Sequence, residues 1–207
     1  MNQILTRCPV VPVVVLDDSA QALPLGKALL AGGIDVIEVT LRTAAGLDGI
    51  RALSALPDLQ VAAGSVLNAA QVDGVHEAGA EVVISPGLSL DVLDRADALG
   101  LPALPGVATA SELMTAADCG LSEVKFFPAG LLGGPAGVRT LSAPFPGMTF
   151  MPSGGVSPDN VAAYLALPCV PAVSGSWMVE PALLRAGDWD EVTARSAAAV
   201  AAATTDP

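Results

Sequence analysis

Lysine, histidine and aromatic residues are almost missing from this chain: 207 residues carry two lysines, one histidine and 3% aromatics. Each shortage excludes something. The histidine, His76, falls in a predicted helix (Val72-Asp-Gly-Val-His-Glu77) and reads as a surface residue, which removes His-based triads and multi-His metal sites. The few rings offer no platform for stacking bases, and a net charge of −12 speaks against nucleic acid or an anionic membrane surface as partner. Cys8, Cys119 and Cys169 are widely spaced, odd in number and without metal-like pairing, so they read as reduced thiols. The first residues, Met-Asn-Gln-Ile-Leu-Thr-Arg, lack the apolar core of a signal peptide. No apolar run reaches membrane-spanning length, since Pro171 and Gly175 interrupt the stretch from Val170 to Val179. The expectation is a soluble cytoplasmic protein. Any anionic ligand of so acidic a chain has to be held locally, by backbone N–H groups and a few arginines.

What is abundant is short apolar runs. They recur at Val11–Leu16, Val36–Leu41, Val61–Val66, Val82–Pro86, Ala103–Val107, Val124–Pro128, Thr149–Gly154 and Ala172–Trp177. Amphipathic segments lie between them. Ser19, Ser111-Glu112 and Ser157-Pro158-Asp159 read as helix starts, with Pro158 at the first helical position, and Gly32-Gly33, Gly79, Gly100 and Gly120 as helix ends. Eight strand–helix units in order predict parallel strands buried on both faces, hence an α/β single-domain (β/α)8 TIM barrel; a doubly wound open sheet is the alternative. No linker or low-complexity segment divides the chain. Residues 1–207 therefore read as one domain, with 1–9 as an N-terminal extension and 188–207 as a last helix and a tail that frays towards Asp206.

In a barrel, chemistry collects at the carboxyl ends of the strands. The second run, Val36-Ile-Glu38-Val-Thr40-Leu-Arg42, places Val36, Glu38, Thr40 and Arg42 on one face. Two readings compete there: an internal Glu38–Arg42 ion pair, or a general acid/base beside an arginine suited to a substrate carboxylate. The sixth run carries Lys125 between Val124 and Phe126, sharing its face with Phe127. Burial strips an amine of hydration and favours the neutral, nucleophilic form, whereas a head group reaching water or a carboxylate is the plainer alternative. Lys27, in Leu25-Gly-Lys-Ala-Leu, reads as a solvated helix residue. Ser153-Gly154-Gly155 and Ser174-Gly175-Ser176 end the seventh and eighth runs, where barrels bind phosphate through backbone N–H groups. Asp17-Asp18 reads as a helix cap, with a magnesium site as the alternative.

These segments, Val-Ile-Glu38-Val-Thr-Leu-Arg42-Thr, Ala-Gly-Ser65-Val-Leu-Asn, Ile-Ser-Pro86-Gly, Leu-Pro-Gly106, Val-Lys125-Phe-Phe-Pro-Ala and Pro-Ser153-Gly-Gly-Val-Ser, resemble the class I 2-keto-3-deoxy-6-phosphogluconate (KDPG) aldolases, which also cover 4-hydroxy-2-oxoglutarate (KHG) aldolase activity. The resemblance runs from about Val10 to Glu180. It implies a Schiff-base aldehyde-lyase without metal or organic cofactor, acting on a phosphorylated keto acid and yielding pyruvate and glyceraldehyde 3-phosphate. It implies Lys125 as the Schiff-base lysine and Glu38 as the general acid/base, with Arg42 on the pyruvyl carboxylate. Ser65 and Pro86 would stand alongside, Phe127 against the alkyl part, and Ser153, Gly154, Gly155, Gly175 and Ser176 around the phosphate. Three features depart from the family pattern: serine replaces the frequent threonine at Ser65 and at Ser153, and the segment from Ala129 to Gly137 is unusually apolar. The family implies a homotrimer. Alternatives are a KHG or KDP-galactonate aldolase, a phosphosugar isomerase or epimerase using Glu38 as base, or a non-catalytic phosphosugar-binding barrel.

Overall fold

The computed structural model describes residues 3–204; Asp206 and the first two residues lie outside that range. Its parallel strands are β1 (Val10–Val14), β2 (Val36–Thr40), β3 (Gln60–Gly64), β4 (Val82–Ile84), β5 (Ala103–Leu104), β6 (Gly106–Val107), β7 (Glu123–Phe126), β8 (Thr149–Pro152) and β9 (Val173–Gly175). The order β5-β4-β3-β2-β1-β9 makes a six-stranded sheet that curls as a half-barrel, and β6-β7-β8 makes a second, three-stranded sheet. Each of the eight predicted runs contains strand. The fifth is split at Pro105, which has no N–H to give to a ladder. Hydrogen bonds cross the break: Gly106 N–H donates to Ser85 O at 3.0 Å, and Lys125 N–H to Pro105 O at 2.9 Å. A parallel bridge from Ser153 to Ser174 links β8 to β9.

The strands are buried on both faces, as their Val-rich runs require, and helices cover the outside. These are α1 (Gln3–Arg7), α2 (Ala22–Ala31), α3 (Ala45–Leu53), α4 (Ala69–Glu77), α5 (Leu90–Ala98), α6 (Ala110–Asp118), α7 (Gly134–Ser142), α8 (Val161–Leu165), α9 (Pro181–Ala186) and α10 (Trp189–Thr204). The predicted N-terminal extension thus contains α1, and the predicted last helix is α10. Among the described residues no helix is long and apolar enough to cross a membrane.

Asp18 caps a short 3-10 turn that leads into α2, as its reading as a helix cap expected, with its carboxylate accepting from Ala20 N–H at 2.9 Å. Two other helix starts differ from the sequence expectation by a few residues. Thr109, not Ser111, caps α6 in a reciprocal box with Glu112. After β8 the chain turns through Ser157-Pro158-Asp159 and α8 begins only at Val161. At α6 the cap belongs to the residue whose side chain meets the free N–H groups, and neighbouring polar residues compete for that place. Glycine ends are as expected: Gly79, Gly100 and Gly120 have φ of +91°, +68° and +77°, the left-handed conformation that closes a helix.

Candidate active site

The registers place Glu38 beside Val13 of β1 and Ala62 of β3, and Lys125 beside Gly106 of β6 and Met151 of β8. Their side chains meet in the interior. Lys125 Nζ lies 2.7 Å from Glu38 Oε1 and 3.0 Å from Oε2, a two-oxygen contact between groups 5% and 1% exposed. Gly64 makes room for it, because a Cβ there would overlap the Glu38 carboxylate. The same nitrogen stands 5.7 Å from the centre of the Phe127 ring. Phe127 is joined to Pro128 by a cis peptide bond. Lys27 is exposed on α2 and His76 on α4, both as expected.

Of the two readings of Glu38, the internal Glu38–Arg42 pair is not formed. Arg42 lies beyond β2 and its Nε donates to Ser65 Oγ at 3.2 Å. Ser65 follows β3 with φ +59°, a left-handed backbone that costs a serine less than the β-branched threonine common in the family. Nor is Lys125 an isolated, merely desolvated amine. Its carboxylate partner at 2.7 Å compensates the loss of water.

Above the pair opens a cavity of about 400 Å³ lined by Val13, Val15, Arg42, Phe127, Ser153, Gly154, Gly155, Val156, Gly175, Ser176, Val179 and Pro181. It gathers the carboxyl ends of β1, β2, β7, β8 and β9. Gly154 and Gly155 have φ of +82° and +86°, and a side chain on Gly154 would press on the Phe127 ring. Four predicted site residues stand apart from this lining: Lys125 and Glu38, buried against each other, Ser65, which touches the site through Arg42, and Pro86, which is exposed beyond β4 with its carbonyl against Gly106. Val13 and Val15 at the end of β1, and Val156, Val179 and Pro181, were not anticipated; apolar lining residues carry no polar signal in a sequence. Asp17 pairs with Arg185 at 3.2 Å while Asp18 caps a turn, and no group of metal-binding side chains occurs among the described residues.

The arrangement defines an α/β protein with a cavity at the carboxyl ends of its parallel strands. Residues 1–195 match the family described as "Aldolase: KDPG and KHG aldolase". The chain belongs to that family. It is 46% identical over 203 residues to the 2-dehydro-3-deoxy-phosphogluconate aldolase of Pseudoalteromonas atlantica, covering 98% of this chain and 94% of the relative. It is 47% identical to the KHG/KDPG aldolase of Escherichia coli K12, covering 93% and 91%. Among solved structures, the KDPG aldolase of Legionella pneumophila, with pyruvate captured at low pH as a covalent carbinolamine intermediate, superimposes with a TM-score of 0.92 at 38% identity, covering 95% of this chain and 96% of that one.

Proposed function

We propose that this protein is a Schiff-base aldolase that cleaves 2-keto-3-deoxy-6-phosphogluconate to pyruvate and glyceraldehyde 3-phosphate. The observation that carries the reading is the buried Lys125–Glu38 contact at 2.7 Å beneath a cavity rimmed by Arg42 and two glycine turns. The names of the relatives and the covalent pyruvate adduct of the Legionella enzyme support it. We read the two sheets as one (β/α)8 barrel in which β5 and β6 count as a single strand broken at Pro105.

Glu38 takes a proton from Lys125, and the freed amine attacks the C2 carbonyl of the keto acid, whose carboxylate is held by the Arg42 fork. The carbinolamine loses water, with Glu38 returning the proton to the departing oxygen, and a protonated imine remains. Glu38 then removes the C4 hydroxyl proton. The C3–C4 bond breaks, the aldehyde leaves, and the bonding electrons enter the imine to give an enamine. Glu38 delivers its proton to C3, and water releases pyruvate. Phe127 packs against the alkyl part of the substrate. The turns at Ser153-Gly154-Gly155 and Gly175-Ser176 hold the phosphate by backbone dipoles, which suits a chain with a net charge of −12. The family resemblance extends to a homotrimer, which sedimentation at several protein concentrations tests.

An assay of pyruvate release with KDPG, its C4 epimer and 4-hydroxy-2-oxoglutarate tests the reading. Cleavage of the phosphorylated substrate is expected to be the most efficient. Isomerisation or epimerisation of a phosphosugar without pyruvate release would overturn it.

A further inference from the structure

Among the buried polar side chains of the strands, Ser174 of β9 is one that the mechanism above does not use. Ser174 is fully buried, and its Oγ has no hydrogen-bond partner. A buried hydroxyl left unpaired costs free energy, so such a group calls for a task.

Two registers fix its direction. Ser174 pairs with Val11 on β1, two positions below Val13, which lines the cavity; strands alternate faces, so Val11 and Ser174 both point inward. On its other side Ser174 bridges Ser153, also a lining residue. The registers fix its level too. This step rests on the closed barrel proposed above, in which the strand tilt advances a layer by two residues for every second strand. From Lys125 the path runs through Met151 and Ala172 to Ser174, and then through Val11 and Val36 to Glu38. It continues through Ala62 and Val82 to Ile84, and through Leu104 and Glu123 back to Lys125. The circuit closes. Lys125, Ser174, Glu38 and Ile84 form one layer contributed by alternate strands. Other unpartnered buried oxygens among the described residues lie elsewhere: Gln60 Oε1 sits towards the amino ends of the strands, beside Val36, and Tyr164 OH belongs to helix α8.

We propose that Ser174 is a further catalytic residue, whose hydroxyl acts on the oxygen at substrate C2. In the carbinolamine this oxygen is a hydroxyl on the carbon bonded to Lys125 Nζ. Ser174 donates a hydrogen bond to it and supports its departure. The C2–O bond breaks, the oxygen leaves as water with a proton from Glu38, and the nitrogen lone pair forms the C=N bond. In the last step Ser174 accepts a hydrogen bond from the incoming water as it adds to C2.

The test uses the whole protein with pyruvate. Borohydride trapping and deuterium uptake into the pyruvate methyl group both require the imine, and the thermal midpoint reports separately on any structural damage. Ser174→Ala should slow both by roughly tenfold or more, while its thermal midpoint stays level or rises because an unpaired hydroxyl is gone. Ser174→Cys, matched in size but a poor donor, should resemble the alanine variant. Wild-type rates in either folded variant would overturn the assignment. Failure of the wild-type protein itself to trap pyruvate would instead overturn the Schiff-base reading on which this inference rests.

Discussion

The Lys125–Glu38 contact makes a sharp thermodynamic prediction, because burial decides its size. Exposed ion pairs contribute about 0–1 kcal/mol, whereas removing one partner of a buried pair costs about 3–5 kcal/mol by stranding a charge. Here the side chains are 7% and 1% exposed, so the second regime applies. Glu38→Leu strands an ammonium and Lys125→Met a carboxylate, and each should lose about 3–5 kcal/mol. The double variant Glu38→Leu/Lys125→Met removes both charges and keeps the volume apolar. It should lose far less than the sum, and less than either single variant. Arg51 and Asp48 on α3, with side chains 55% and 66% exposed, form the control: the same cycle there should yield a coupling of about 0.2–1 kcal/mol. Urea unfolding with linear extrapolation measures all of these, provided the denaturant slope stays constant across the variants. Single losses below about 1 kcal/mol that simply add in the double variant would show instead that the pair behaves as a solvated one.

Three further outcomes follow from the geometry. Gly64→Ala puts a methyl where the Glu38 carboxylate lies, so turnover should fall about 10–100-fold with a stability loss of about 1–3 kcal/mol; wild-type kcat would show that the carboxylate has room to move. Arg42→Lys keeps the charge but loses the fork, and should raise KM for the keto acid about tenfold with kcat largely retained, as steady-state kinetics would show. Burial pushes the Cys8 thiol and the Tyr164 hydroxyl above their ordinary ranges. Above about pH 8.5 the unfolded chain therefore releases protons that the folded chain keeps. The urea midpoint should fall as pH rises through that window, and Cys8→Ala should flatten the early part of the fall; a midpoint that rises with pH would contradict it.

Much of this architecture is written in local pattern. Val-rich runs bounded by glycine and proline mark strands buried on both faces, and Lys125, Glu38 and Arg42 stand out because charged residues in such runs are rare. Partners are a different matter. Glu38 and Lys125 are 87 positions apart on strands of two different sheets, and only the tertiary fold brings them together; period-two spacing offered a local Glu38–Arg42 pair as the alternative. The break at Pro105 was legible as a residue but not as an event, since proline is compatible with a strand edge as well as a gap. The cap at Asp18 was legible, whereas the cap at Thr109 was missed by two positions because several hydroxyl and carboxylate side chains compete for the same N–H groups. Ser174 carried no signal beyond its place in a glycine turn. Its proposed level beside Lys125 follows only when the strand registers are traced around the proposed closed barrel.

The central claim is that Lys125 forms the covalent bond. Incubation with pyruvate and borohydride should convert it to a carboxyethyl-lysine, which trypsin does not cut. Digestion should then yield one peptide from Ala96 to Arg139 with the modification at Lys125, and Lys125→Met should give no adduct. An adduct on Lys27, trapping that persists in Lys125→Met, or no trapping in a protein that still releases pyruvate from KDPG would contradict the account.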